Sequence, residues 1–136
     1  MMSISIIGRI AKKQQVKTFI FDTLEYLMPR IKRDVEIDIK IVTRCNNNHY
    51  ALCSGDKNGA EIELARGSGN TTFTLDEMML NLAHELVHAK QFIKGELHPS
   101  LNRWKKLNYD VVYSRQPWEK EAYLLEDKIV NKFWNK

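Results

Sequence analysis

The hydrophobic periodicities along this chain predict an α+β fold with a packing helix first, a small three-stranded, mainly antiparallel sheet in the middle and two helices at the end. Three observations carry the prediction. Apolar residues keep a helical period from Ala11 to Met28 and again from Leu75 to Ile93. Val35 to Val42 alternates between apolar and polar until its last step, as a half-buried strand does. Turn-forming Asn, Ser, Gly and Asp residues break up the stretch between the two helical regions.

The opening segment, Met1 to Ile10, holds a short apolar patch, but Arg9, Lys12 and Lys13 follow the patch instead of preceding it, which is the wrong order for a secretory signal. The first helix buries Val16, Phe19, Ile20, Leu24, Leu27 and Met28, and Pro29 stops it. After the Val35–Val42 strand, Asn46-Asn47-Asn48 turns the chain into a second strand, His49 to Cys53. Ser54 to Gly59 turns it again, and Ala60 to Ala65 makes the third strand. Gly67 to Asn70 reads as a flexible link, and the strand before it is expected to offer a free edge to an extended peptide.

Thr74 and Glu77 form a capping-box pattern just ahead of the second helix, and Gly95 supplies its end. Leu75, Met79, Leu82, Leu86, Ala89 and Ile93 make the core-facing stripe of that helix, while Glu77, Asn81, His84, His88 and Gln91 make a polar one. Glu96 to Gln116 has no clean period and is expected to form a lip over a cleft. The last helix starts at Pro117 and turns Trp118, Ala122, Leu125, Ile129 and Phe133 inward.

Composition bounds the function classes. A chain of 136 residues, 43% hydrophobic and 28% charged, fits one globular domain, 1–136. No apolar run approaches the ~20 residues that a membrane helix needs. Cys45 and Cys53 lack metal-ligand spacing and read as reduced thiols of a cytoplasmic protein. The net charge of +4 is spread over separate segments, so a solvated basic surface is favoured over a nucleic-acid footprint. A monomer or weak oligomer is expected.

Within the second helix, Leu82 to Ala89 contains His84-Glu85-Leu86-Val87-His88. Two imidazoles one turn apart can bind a single zinc ion, and the glutamate between them can act as general base toward an activated water. Because this helix is apolar on most sides, its polar stripe needs buried partners, and a metal is the most economical one. A catalytic zinc takes a third protein ligand. The metzincin position six residues after His88 is Lys94, which excludes that class; His98 follows by ten but lacks a helix to hold it. Glu119 and Glu121 flank the apolar stripe of the last helix equally, and periodicity does not choose between them.

The segments HELVHAKQF and PWEKEAY resemble the gluzincin zinc metallopeptidases, most closely the short single-domain proteins of minimal-gluzincin or SprT-like type found in phages and bacteria. The resemblance implies a zincin-like fold, and it implies Glu119 as third ligand, since that group carries Glu followed three residues later by a small residue, here Ala122. It also marks a departure: many relatives brace a zinc-bound histidine with Asp or Asn where this chain has Tyr123. Asn81 or a backbone carbonyl is expected to do that work instead.

Residue chemistry and resemblance together imply peptide-bond hydrolysis, with His84, His88 and Glu119 on Zn2+, Glu85 as base, and an oxyanion donor from Tyr109, Tyr113 or His98. The alternatives are a zinc-stabilised binding or regulatory module without turnover, and an SprT-like protease acting on nucleic-acid-bound proteins.

Overall fold

A computed structural model describes residues 1–99, 103–105, 107–108 and 116–135. Its elements run β1 (Met2–Ile7), α1 (Lys13–Leu27), β2 (Val35–Val42), β3 (Ala51–Asp56), β4 (Gly59–Ala65), β5 (Gly67–Ser68), β6 (Thr71–Thr72), α2 (Leu75–Ile93), β7 (Arg103–Trp104), β8 (Leu107–Asn108) and α3 (Pro117–Phe133). The α+β class holds, and no helix among the described residues is long and apolar enough to cross a membrane.

The sheet departs from expectation. It has four strands in the order β1-β2-β4-β3, and only the β3–β4 pair is antiparallel; β1–β2 and β2–β4 are parallel. The extra strand is the apolar patch at the start of the chain. Its alternation turns Ile4 and Ile6 to the core and leaves Ser3 and Ser5 outside. The crossover from β1 through α1 to β2 is long enough for parallel pairing, which no short turn could provide. Consequently β4, the strand expected to offer a free edge, lies inside the sheet, and β1 and β3 are its edges.

β3 also begins and ends later than the turn signals suggested, so that a tight hairpin at Lys57-Asn58 joins it to β4; the Asn58 backbone N–H donates to Asp56 Oδ1 at 2.8 Å. The Gly67–Asn70 link is part of a small two-stranded ribbon, β5–β6. The irregular stretch after α2 likewise holds a short hairpin, β7–β8.

One face of the sheet forms the core. Ile37, Ile39, Ile62 and Leu64 are buried against α1 and α2, while Glu36, Asp38, Glu61 and Glu63 on the other face are exposed. Each fully buried aliphatic side chain contributes roughly 1.5–3 kcal/mol. α2 is buried along most of its length, pinned between the β3–β4 hairpin and α3. α3 runs antiparallel to it: Glu119 in the first turn of α3 reaches His88, and Trp134 just past its end donates to Asp76 Oδ1 at 2.8 Å.

The ends of α2 are set by chemistry legible in the sequence. Thr74 Oγ1 accepts from the Glu77 N–H at 3.1 Å, and Glu77 Oε1 accepts from the Thr74 N–H at 2.8 Å. At the other end Gly95, at φ +74°, lets the chain turn back so that the N–H groups of Gly95 and Glu96 donate to the carbonyls of Phe92 and Gln91. The chain then leads into a second apolar cluster, Phe92, Leu97, Trp104 and Trp118, beside the first turn of α3.

Candidate metal centre

Helical spacing puts His84 and His88 one turn apart on α2, and their rings meet edge to face with centroids 4.9 Å apart. Both side chains are buried. Candidate ligand atoms of His84, Glu85 and His88 all lie within 4.8 Å of one another. The third helix adds a second carboxylate: Glu119 Oε1 is 2.9 Å from His84 Nε2 and 3.2 Å from His88 Nε2. Both imidazoles thus direct Nε2 at one oxygen, which distinguishes Glu119 from Glu85 as the group shared between them.

The other ring nitrogens are also occupied. His84 Nδ1 is 3.4 Å from Glu126 Oε1, and His88 Nδ1 is 2.8 Å from Gln91 Oε1. Every partner oxygen, that of Glu119 included, can only accept, so without a metal both nitrogens of each ring carry a hydrogen; an ion would take the place of the one on Nε2, and the Nδ1 hydrogen would stay on Glu126 or Gln91. Two imidazoles that turn Nε2 to one buried carboxylate, each with its Nδ1 held by a further acceptor, are a donor set that could hold a metal ion.

The electrostatics follow from burial and close pairing. Burial works to lower the pKa of His84, but hydrogen bonds to Glu119 and Glu126 and the nearby carboxylates outweigh it and raise it to about 9. His88 is raised by the same balance of burial against Glu119 and Glu85. For Glu119 burial pulls upward, yet the two histidines hold it down at about 2. Glu85 shows the reverse outcome: desolvation raises its carboxyl against the pull of His88 and His84. The two buried carboxylates beside these imidazoles therefore differ in proton affinity, Glu85 being the stronger base and Glu119 the weaker.

Two cavities open on either side of Glu85. One, of about 400 Å³, is lined by Asn81, His84, Tyr50, Tyr123 and Glu126; the other, of about 350 Å³, by His88, Cys53, Phe92, Leu97, Trp118 and Glu119. Glu85, His49 and Ala51 border both, so the start of β3 forms a continuous wall.

Of the residues singled out in the sequence, His84, Glu85, His88 and Glu119 come together. Glu121 does not: it accepts from Lys90 Nζ at 2.7 Å and Gln91 Nε2 at 3.0 Å. His98 lines a neighbouring cavity with Asp56, Lys57 and Lys105. Tyr109 and Tyr113 lie outside the described residues. The bracing expected of Asn81 or a backbone carbonyl falls to Glu126 and Gln91. Glu126 follows Glu119 by seven residues, a spacing that places both on one helical face and was a usable signal; His49, before β3, gave none. Of the irregular segment expected to form a lip, Leu97 and Gln116 line the second cavity, and 100–102, 106 and 109–115 lie outside the described residues.

Comparison with protein-family models, with curated proteins and with solved structures returns no match to this chain.

Proposed function

We propose that this protein is a zinc-dependent peptidase. The observation that carries the reading is the convergence of His84 Nε2 and His88 Nε2 on Glu119 Oε1 with Glu85 buried beside them. His84, His88 and Glu119 would hold the ion. When bound, zinc supplies a Lewis acid that makes a water more acidic and polarises a carbonyl.

The chain's own groups do the rest. Glu85 takes a proton from the attacking water at its carboxylate and returns it to the leaving amine, and the desolvation that raises its pKa suits it to both steps. His49, on the wall shared by both cavities, donates a hydrogen bond toward the oxygen on which negative charge develops. An extended peptide pairs with the free edge of β3 and runs past both cavities, so main-chain bonds hold it while its side chains enter them. Tyr50 and Tyr123 on one side, and Phe92, Leu97 and Trp118 on the other, favour apolar side chains next to the cleaved bond.

The test pairs metal analysis with turnover of fluorescein-labelled casein. The parent should hold one equivalent of zinc, Glu119→Ala should lose it, and Glu121→Ala should keep it at saturating metal. Glu85→Gln should keep zinc and lose about 10²–10⁴-fold in cleavage. A parent that takes up no zinc on reconstitution sinks the reading, as does a Glu85→Gln protein that cleaves at the parent rate.

A further inference from the structure

Gln91 is fully buried and sits three residues after His88 on α2. Its Nε2 meets two groups that can only accept, the Trp118 carbonyl at 2.9 Å and Glu121 Oε1 at 3.0 Å. Flipping the amide would set its oxygen against both. The orientation is therefore fixed by chemistry, with Nε2 toward α3 and Oε1 toward His88.

Glu121 is held in turn. Its Oε1 also accepts from Lys90 Nζ at 2.7 Å, and the buried Lys90 donates a second bond to Glu96 Oε1 at 2.8 Å. Lys90 has only hydrogens to offer, so Glu121 must accept, Gln91 Nε2 must donate to it, Gln91 Oε1 must accept, and His88 Nδ1 must carry its hydrogen. Each link leaves the next a single arrangement, and the run ends at the hydrogen on His88 Nδ1, which leaves Nε2, facing Glu119, as the nitrogen a metal would take.

We propose that Gln91 is a positioning residue that fixes the ring orientation and tautomer of His88, and that Lys90 and Glu121 keep the Gln91 amide in the orientation this requires. The inference rests on the metal-site reading above. It gives Glu121 a purpose other than ligation and explains why a lysine is buried one residue before the amide.

Two measurements test it. In the zinc-loaded parent, long-range ¹H–¹⁵N correlation of the histidine rings should show His88 protonated on Nδ1 and not on Nε2. Zinc affinity, read by competition with a chromophoric chelator, should fall about 10–100-fold in Gln91→Met, whose side chain matches in length but accepts nothing useful. Gln91→Glu should lose less than Gln91→Met, because one oxygen still accepts from His88 while the other, set against Glu121 and the Trp118 carbonyl, fits there carrying a proton. A role for Gln91 in packing alone predicts the opposite ranking, since it would make the apolar substitution the milder one beside Glu121. His88 protonated on Nε2 in the zinc-loaded parent, or Gln91→Met binding zinc as tightly as the parent, overturns the inference while leaving the metal site standing. A parent that binds no zinc overturns both. The ring measurement needs no substitution, so it decides even where Gln91→Met does not fold.

Discussion

Thr23 buries its hydroxyl completely within α1, and among the described residues Oγ1 has no hydrogen-bond partner. Valine has the same shape without the group that needs one, so Thr23→Val should raise stability by about 1 kcal/mol in urea unfolding; a loss of similar size would mean that the hydroxyl is satisfied. The histidine–glutamate cluster makes a second prediction, for protein stripped of metal. His84 is raised from 6.5 to about 9, so its contribution to stability is complete below 6.5 and disappears as pH rises through about 9. Glu119 is lowered from 4.5 to about 2, so its contribution is complete above 4.5 and disappears as pH falls through about 2. The two describe one shared contact. Chelator-treated protein should therefore be most resistant to urea between these limits and weaken on both sides, and a midpoint that keeps climbing into alkaline solution would contradict the pairing. At this scale the histidine pair and its glutamate were legible because their spacing is local. Periodicity did not choose between Glu119 and Glu121, because both flank the same stripe; only the resemblance pointed to Glu119. What separates them is the neighbour each meets on α2, the imidazoles for one and Lys90 for the other.

Among the elements, α2 was read almost to the residue, since a capping box and a terminal glycine are chemical signals carried by the segment itself. Thr74→Ala removes half of that box and should cost about 1 kcal/mol, with the loss visible as faster amide exchange over the first turn of the helix. Unchanged exchange at Met78 would show that packing alone defines the start. β1 was not read as a strand. Its six residues look unremarkable alone, and they become a strand only because β2, more than thirty residues away, offers a parallel edge with Met2 opposite Val35 and Ile7 opposite Lys40. Parallel pairing leaves no turn signature in the sequence, whereas the antiparallel β3–β4 hairpin announced itself through its glycine and asparagine residues. The sheet order was hidden for the same reason.

For the molecule as a whole, the proposed ligands tie the middle of α2 to the start of α3, and those two helices pack against each other over most of their lengths. Binding that selects the folded state stabilises it in proportion to ligand concentration, by about 4 kcal/mol at a thousandfold excess over Kd. Removing zinc with a chelator should lower the thermal midpoint, and adding zinc back should restore it; a midpoint indifferent to both would mean that the donors hold no ion. The donors are also far apart in the order of synthesis. His84 and His88 leave the ribosome thirty and more residues before Glu119, and Glu126, which braces His84, comes later still. A nascent chain carrying only α2 has the base and two imidazoles but not the group on which they converge. The proposed centre would therefore be completed only once α3 follows the sheet, so that the growing polypeptide would meet no finished metal site while the sheet is folding.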